Sequence, residues 1–234
     1  MGRRDERTLS RRRFLSAGAS ATLIIGCSGK GAATTPREHD EEGEGDVTPA
    51  EDLMREHGVL RRAIFVYDDA AHRLETGAQV PLDQLGATAA LIKRVIEDYH
   101  EKLEEQHLFP RFEQAGTLVE LVAVLRRQHD AGRAITSRVL ASASATLADA
   151  DRAQLAAALR SFNRMYRPHA AREDTVLFPA LHRIVGRKAY DELGEQFEDI
   201  EKKTLGEGGF EKAVVEVARI ERAFGLDDLA KLTP

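Results

Sequence analysis

Cysteine and tryptophan are nearly missing from this chain of 234 residues, which contains no Trp and a single Cys, Cys27. One cysteine cannot form an internal disulfide. It also excludes a zinc site built on several thiolates and an iron–sulfur cluster held by this chain alone. Nitrogen and oxygen atoms must therefore supply the ligands of any metal that the chain binds.

The period-two alternation of apolar and polar residues that marks a half-buried strand is also missing, so we predict no β-sheet. Acidic residues outnumber basic ones beyond the N-terminus. The first 26 residues carry six arginines against Asp5 and Glu6, a net of +4, so the rest of a chain whose net charge is −5 carries −9. A body this acidic is a poor candidate for binding nucleic acid, and we expect no such partner.

The N-terminus has the pattern of an export signal. Arg11 and Arg12 precede a weakly apolar run over residues 15–26 and resemble a bacterial twin-arginine signal. Ile24-Ile25-Gly26-Cys27 resembles a lipobox, where a peptidase cuts before a cysteine that receives lipid. About 12 apolar residues are too few to span a bilayer, which needs ~20. The alternative is a basic N-terminus with an accidental cysteine.

We therefore expect residues 1–26 to be a signal peptide. The mature protein is expected to be exported to the periplasm or the extracytoplasmic face of a membrane, and to touch that membrane only through lipid on Cys27. Residues 27–48 are rich in Gly, Ser, Thr, Pro and acidic residues. This composition offers too little apolar surface to fold, which predicts a flexible acidic tether.

Four long amphipathic helices are predicted after the tether. The first begins at Thr48-Pro49-Ala50-Glu51, where Thr is an N-cap, Pro occupies the first turn and Glu closes a capping box. Apolar residues then recur at steps of three and four, as on one face of a helix. Further helices are expected after Pro81, near Thr117 and near Asp149.

Such helices joined by short turns predict an all-α fold, an up-down-up-down antiparallel four-helix bundle over residues 49–185. The second helix is expected to end near Pro110 or Gly116. Residues 186–234 predict a C-terminal extension of two helices, broken at residues 206–209, which packs against the bundle end or a partner. The sequence leaves the role of this extension and the oligomeric state open.

The chain repeats a motif at an offset of 69 residues. His100-Glu-Lys-Leu-Glu-Glu-Gln-His-Leu-Phe-Pro recurs as His169-Ala-Ala-Arg-Glu-Asp-Thr-Val-Leu-Phe-Pro, so His, Glu, an acid, Leu, Phe and Pro coincide. More loosely, Glu56-His57 followed by Arg61 matches Gln128-His129 followed by Arg133. Two helical hairpins therefore make the bundle, and each supplies one lone His and one HxxxE.

Each of the four helices brings one histidine to its apolar stripe, and two of them add a glutamate one turn later. A helix advances about 100° per residue, so His and Glu four residues apart share a face. Burying these groups without a cation would cost several kcal/mol per uncompensated charge, and the stripes carry no Lys or Arg. Two divalent ions bridged by Glu104 and Glu173 fit this set, with positions open for solvent or a small ligand. The six candidate ligands are His57, His100, Glu104, His129, His169 and Glu173.

These motifs, with Leu-Phe-Pro after each HxxxE, resemble the hemerythrin-like HHE cation-binding domain over roughly residues 49–185. The resemblance implies a four-helix bundle around a non-haem di-iron centre. It also implies two Fe per chain, bridged by carboxylate and solvent, and a partner such as O2, NO or peroxide. The six residues named above are the expected ligands.

The pattern departs from the invertebrate oxygen carriers, which place HxxxH on the third helix. Here Arg133 stands four residues after His129, so one histidine ligand is missing, and Glu101 could fill the vacancy. The carriers also use HxxxxD on the fourth helix, which Asp174 would satisfy. The internal repeat favours Glu173, because Asp174 matches Glu105.

Other histidines are interpreted as surface or packing residues, namely His72, His107 and His182. Tyr166 lies three residues before His169 on the same face. It could hydrogen-bond a ligand in the site or fill the core.

The leading interpretation is an exported di-iron protein that binds or senses O2, NO, peroxide or iron. A peroxidase or ferroxidase on the same site is the alternative, and a metal-free helical interaction module is a third. A ferritin-like oxidase would carry Glu-x-x-His on two helices, whereas Glu97-x-x-His100 and Glu104-x-x-His107 share one.

Overall fold

The computed structural model describes residues 47–143 and 147–233. The predicted export signal with Arg11 and Arg12, the lipidation site Cys27 and the tether up to residue 46 lie outside these residues. Within them, every regular element is a helix and there is no strand, as predicted. None of the helices in the described part of the chain is long and apolar enough to cross a membrane.

Helix α1 (Pro49–Thr76) starts as the sequence predicts. Glu51 N donates to Thr48 Oγ1 at 3.2 Å, and Thr48 N donates to Glu51 Oε2 at 2.8 Å, which closes the capping box. Such a cap contributes about 1 kcal/mol. The helix ends at Gly77, whose φ of 74° is left-handed and favours glycine.

Helix α2 (residues 82–114) is continuous but changes hydrogen-bond pattern along its length. Its successive segments are Leu82–Leu91, the π-helical Ile92–His100, Glu101–Leu103, the π-helical Glu104–Leu108, and Phe109–Gln114. The helix runs through Pro110 and ends before Gly116, which has φ of 62°. Of the two predicted ends, the later one is confirmed.

Helix α3 spans Val119–Ala143. Helix α4 (residues 149–185) contains Asp149–Arg172, the π-helical Glu173–Leu177 and the start of Phe178–Leu205. The non-helical angles of Gly186, φ 74° and ψ 165°, break that last segment, so residues 187–205 form a separate helix α5. Helix α6 (Gly209–Phe224) and a 3₁₀ turn (Leu229–Leu232) complete the described chain.

The helices pack in a closed ring in which α1 contacts α2 and α4, and α3 contacts α2 and α4. Two apolar clusters make the core, and on each of the helices α1 to α4 the buried histidine lies close to the point where one cluster gives way to the other along the chain. On α1, for example, Leu53 belongs to one cluster and Leu60 to the other, with His57 between them. This arrangement creates a polar layer inside the helices.

Helix α6 covers the outside of α1 and α2. Its buried side chains recur at steps of three and four and belong to the larger apolar cluster: Phe210, Ala213, Val217, Ile220 and Phe224. Arg62 Nε donates to Glu221 Oε1 at 2.9 Å and ties the helix to α1. The break predicted at residues 206–209 is confirmed. Helix α6 packs along the side of α1 and α2, whereas α5 contributes Tyr190, Leu193 and Phe197 to the apolar cluster that contains Leu53.

Candidate metal centre

The six candidate ligands meet in the polar layer. Each is at most 3% exposed: His57, His100, Glu104, His129, His169 and Glu173. Such burial of four imidazoles and two carboxylates in one place is costly unless the groups are paired or bind a cation.

Each carboxylate lies between two imidazoles. Glu104 Oε2 is 3.7 Å from His100 Nε2 and 3.5 Å from His129 Nε2. Glu173 Oε2 is 3.3 Å from His57 Nε2, and its Oε1 is 3.0 Å from His169 Nε2. Both glutamates therefore face the same space as the four Nε2 atoms.

Several of these atoms have no hydrogen-bond partner within the described residues. They are both carboxylate oxygens of Glu104 and of Glu173, and Nε2 of His100 and of His129. Nitrogen and oxygen atoms that are buried, convergent and unpaired form the ligand set that iron and similar divalent ions accept. The residues present thus fit the metal that the sequence implies.

The geometry divides into two sets that share a carboxylate. One ligand atom from each of His57, His100 and Glu173 lies within 4.8 Å of the others, and the same holds for Glu104, His129, His169 and Glu173. The rings of His57 and His100 are 4.6 Å apart, and those of His129 and His169 are 5.0 Å apart. We call these the His57 half and the His129 half.

Each histidine is held through its other ring nitrogen. In the His57 half, His57 Nδ1 is 2.7 Å from Asp174 Oδ1 and His100 Nδ1 is 2.8 Å from Glu56 Oε2. A carboxylate at Nδ1 favours a proton there, which leaves the Nε2 lone pair for a metal. Asp174 therefore lies behind His57, while Glu173 faces the centre.

The His129 half repeats this arrangement. His129 Nδ1 is 3.1 Å from Glu105 Oε1, and His169 Nδ1 is 2.9 Å from Gln128 Oε1. Glu105 is the repeat counterpart of Asp174. The internal repeat therefore includes the groups that orient the ligands.

An arginine stands behind each orienting carboxylate next to a lone histidine. Arg61 pairs with Asp174, and Arg133 Nη2 is 2.6 Å from Glu105 Oε1. Arg133 occupies the position where the oxygen carriers have a histidine, and here it binds carboxylates.

The Phe of each Leu-Phe-Pro motif stacks on a lone histidine. The ring centroids of Phe109 and His129 are 5.6 Å apart, as are those of Phe178 and His57. The ring planes of each pair are inclined by 22°. The backbone N–H of each Phe donates to the carbonyl of the candidate ligand five residues earlier, Glu104 or Glu173. A π turn is a frequent feature of functional sites, and here it ties a ligand to the ring that packs on another ligand.

The electrostatics favour a cation. Burial and the nearby charge of Glu173 raise the pKa of Glu104 well above its usual value. Burial alone would lower the pKa of His57, but Asp174 and Glu173 outweigh it and raise that pKa to about 9. The carboxylates thus attract positive charge into a layer where water is excluded.

The two halves differ around one carboxylate. Glu101 is 1% exposed; Tyr166 OH donates to its Oε1 at 2.6 Å, and Arg133 Nη2 is 2.7 Å from its Oε2. The repeat counterpart of Glu101 is Ala170, which cannot make such contacts. Glu101, expected as a possible ligand, is thus held by Tyr166 and Arg133.

Sequence reasoning missed the role of Glu56 and Gln128, although both were noted as repeat counterparts. The signal was their position directly before a lone histidine. His107 lies outside the polar layer, with its ring 6.0 Å from that of Phe197, and the ring of His182 is 5.0 Å from that of Tyr190. Neither joins the centre.

The profile of the hemerythrin HHE cation binding domain matches residues 48–181 and, in an overlapping match, residues 121–223. Similar proteins include "Uncharacterized protein Rv1995" of Mycobacterium tuberculosis and "Uncharacterized protein Mb2018" of Mycobacterium bovis. Each is 44% identical to this chain over 238 residues, which covers 97% of the chain and 91% of the relative. No solved structure matches the chain significantly. The chain therefore belongs to the hemerythrin HHE cation-binding domain family.

Proposed function

We propose that this protein holds two iron ions, one in each half of the centre, and that it binds a small molecule such as O2, NO or peroxide there. His57 and His100 would hold one ion, and His129 and His169 the other. Glu104 and Glu173 would bridge them. The observation that carries the proposal is the set of buried, unpaired Nε2 and carboxylate oxygen atoms around one space.

The order of the two apolar clusters along the chain supports an up-down-up-down bundle. On α1 the cluster containing Leu53 precedes the cluster containing Leu60, and on α2 the cluster containing Leu85 precedes the cluster containing Phe112. Leu53 and Phe112 belong to the same cluster, so the order reverses between neighbouring helices. It reverses again on α3 and α4, which is the order that antiparallel neighbours give.

The side chains present would do three things in this function. The carboxylates and Gln128 at Nδ1 orient the imidazoles, Phe109 and Phe178 pack on them, and the apolar clusters on both sides exclude water. Bound iron would supply open coordination positions and redox chemistry. Six protein ligands are too few to close two six-coordinate sites, which leaves room for solvent and one exogenous molecule.

Metal analysis of protein purified without chelators and grown with ample iron tests the proposal. We expect two iron per chain and an optical spectrum that changes when O2 is admitted. Ligand type alone does not distinguish zinc or manganese from iron, so all three metals are measured together. One metal or none per chain would contradict the two-ion centre.

Turnover of peroxide or oxidation of iron on the same centre is the alternative. Peroxide consumption at a rate above that of free iron would favour this enzyme over a binding protein. A metal-free interaction module would require the unpaired buried atoms to remain without a cation, which the cost of burial disfavours.

We also propose that the chain is exported and attached by lipid on Cys27, with residues 27–48 as a tether. A diacylglyceryl group provides the two chains that stable anchoring requires. Replacing Arg11 and Arg12 by Lys should trap the protein in the cytoplasm, and Cys27→Ser should prevent lipidation. Full-length, soluble, cytoplasmic wild-type protein would contradict this proposal and leave the metal centre untouched.

A further inference from the structure

Glu101 is a buried carboxylate beside His129 of the candidate metal centre, and both of its oxygens are engaged by other side chains. One carboxylate oxygen of Glu101 lies within 4.8 Å of a ligand atom of His129 and of Glu105. It follows His100 directly in the chain. The hydroxyl of Tyr166 and the guanidinium of Arg133 bind its two oxygens, at 2.6 and 2.7 Å.

Gly132 makes the Tyr166 contact possible. A Cβ atom built at this position would lie 2.0 Å from the Tyr166 hydroxyl and 2.7 Å from the ring, which no real structure tolerates. Gly132 lies inside α3, where glycine costs about 1 kcal/mol relative to alanine. The missing side chain therefore creates the space in which the phenol reaches Glu101.

The His57 half has no counterpart of this arrangement. Ala170 replaces Glu101 and Leu60 replaces Gly132 at the equivalent repeat positions. The arginine and the orienting carboxylate are kept in both halves, as Arg61 with Asp174 and as Arg133 with Glu105. The contacts of Glu101 are therefore a property of one half.

We propose that Tyr166 and Arg133 hold Glu101 off the metal pair and so keep one coordination position of the His129 half open for a small exogenous molecule. The inference rests on the proposed function, because it assumes that the two ions are bound. Tyr166 acts through Glu101 and is a positioning residue. Without its hydrogen bond, the Glu101 carboxylate competes for the open position as an additional oxygen ligand.

Removing that hydrogen bond should change metal retention and binding of the exogenous molecule in opposite directions. An added carboxylate ligand strengthens the hold on the metal and at the same time blocks the exogenous molecule. If Tyr166 only packed against the site, removing its hydroxyl would loosen the site and weaken both metal retention and binding of the exogenous molecule. Measuring metal retention and ligand binding on the same variant therefore separates the two explanations.

The test uses the iron-loaded protein and azide as the probe. Optical titration gives the Kd for azide, and competition with a chromophoric chelator gives metal retention. Tyr166→Phe should weaken azide binding by about tenfold or more, since a hydrogen bond to a charged group has that order of effect. The same variant should release iron to the chelator more slowly than wild type.

Gly132→Ala should also weaken azide binding and slow the release of iron, because the added methyl group fills the space of the Tyr166 hydroxyl. Tyr166 itself is unchanged in this variant. The matched control is Tyr67→Phe, which removes another buried tyrosine hydroxyl, one without a hydrogen-bond partner among the described residues. It should change neither quantity. If Gly132→Ala does not fold, Tyr166→Phe against Tyr67→Phe decides the question.

Unchanged azide affinity in Tyr166→Phe would overturn the inference, and so would a joint loss of azide binding and metal retention. Each variant is first analysed for iron. If the wild type holds fewer than two iron ions, the proposed function fails. If it holds two and the variants bind azide like wild type, only the inference about Glu101 fails.

Discussion

The His57 half and the His129 half present their imidazoles in the same way, with Nε2 toward the shared carboxylates and Nδ1 on an orienting group. Behind these ligands they diverge. Arg61 is 49% exposed and pairs with Asp174, whereas Arg133 is 26% exposed and pairs with Glu105 and with Glu101. The two halves keep the same arrangement of candidate ligands, but only the His129 half has a buried carboxylate, Glu101, that contacts both a tyrosine and an arginine.

This difference teaches that ligand motifs alone do not describe the chemistry of a repeated site. Glu101 and Ala170 follow the first histidine of each HxxxE and look like spacer residues in the motif. In the structure one of them places a buried carboxyl group beside His129, and the other is apolar. The comparison can be tested by substituting equivalent positions in both halves.

The largest effect is expected from the residues that the halves share. Glu104→Gln and Glu173→Gln should each reduce bound iron below one per chain, because each carboxylate lies between histidines of different halves. Elemental analysis of the purified variants measures this. His107→Ala is the control and should keep wild-type metal content. One full metal remaining in either Gln variant would show that the halves bind independently.

A buried carboxyl that is not one of the candidate ligands should produce the next effect. Glu97 corresponds to Tyr166 in the repeat, and burial raises its pKa from 4.5 to about 7. The folded state then binds the proton more tightly than the unfolded state, so stability falls as pH rises from 4.5 to 7. Glu97→Gln should remove this fall, which is on the order of 3 kcal/mol.

Urea unfolding of the metal-free wild type and variant at pH 5 and pH 8 measures the difference. The other titrating groups are common to both proteins and cancel in the comparison. An equal change in the free energy of unfolding of both proteins between the two pH values would refute the prediction.

The orienting carboxylates should give a smaller and symmetric effect. Asp174→Asn and Glu105→Gln each leave an amide at the Nδ1 of a lone histidine, and loss of such a partner lowers metal affinity by roughly 10–100-fold. Chelator competition measures both variants. Similar losses of metal affinity would show that the orienting groups act equally in the two halves. A loss in one variant alone would show that the halves already differ at the groups that hold the histidines, and not only at Glu101.

The smallest effect is expected at the stacked rings. Phe109→Leu and Phe178→Leu keep an apolar side chain but remove the stacking on His129 and His57, which is worth about 1 kcal/mol beyond burial. Thermal unfolding should show equal destabilisation of the two variants. A large difference between them would mean that one ring has a further role.

The sequence predicted the helical fold, the start of α1, the break after α5 and the convergence of the six candidate ligands. Periodicity is enough for these features because each depends on residues close in the chain or on one helical face. Glu105 and Asp174 were recognised as repeat counterparts, but their contacts with His129 and His57 join different hairpins. Such contacts depend on how helices pack, which periodicity does not reveal.

The sequence also did not reveal the space beside Gly132 that the Tyr166 hydroxyl occupies. A glycine inside a helix indicates a close approach but not by which residue. The sequence leaves two roles open for Tyr166, a hydrogen bond to a ligand in the site or packing in the core. Its hydrogen bond to Glu101 is a third role. Only the position of Gly132 opposite the phenol makes the pairing visible.

The π turns after Glu104 and Glu173 have a consequence for the phase of the helices. A π turn adds one residue to an α-helical path, so the segment after it is rotated by about 100° relative to an uninterrupted helix. Deleting one residue between positions 105 and 108 would restore the α-helical phase and turn Phe109 away from His129. The number of residues between each of these glutamates and its phenylalanine therefore matters as much for the stacking as the identity of either residue.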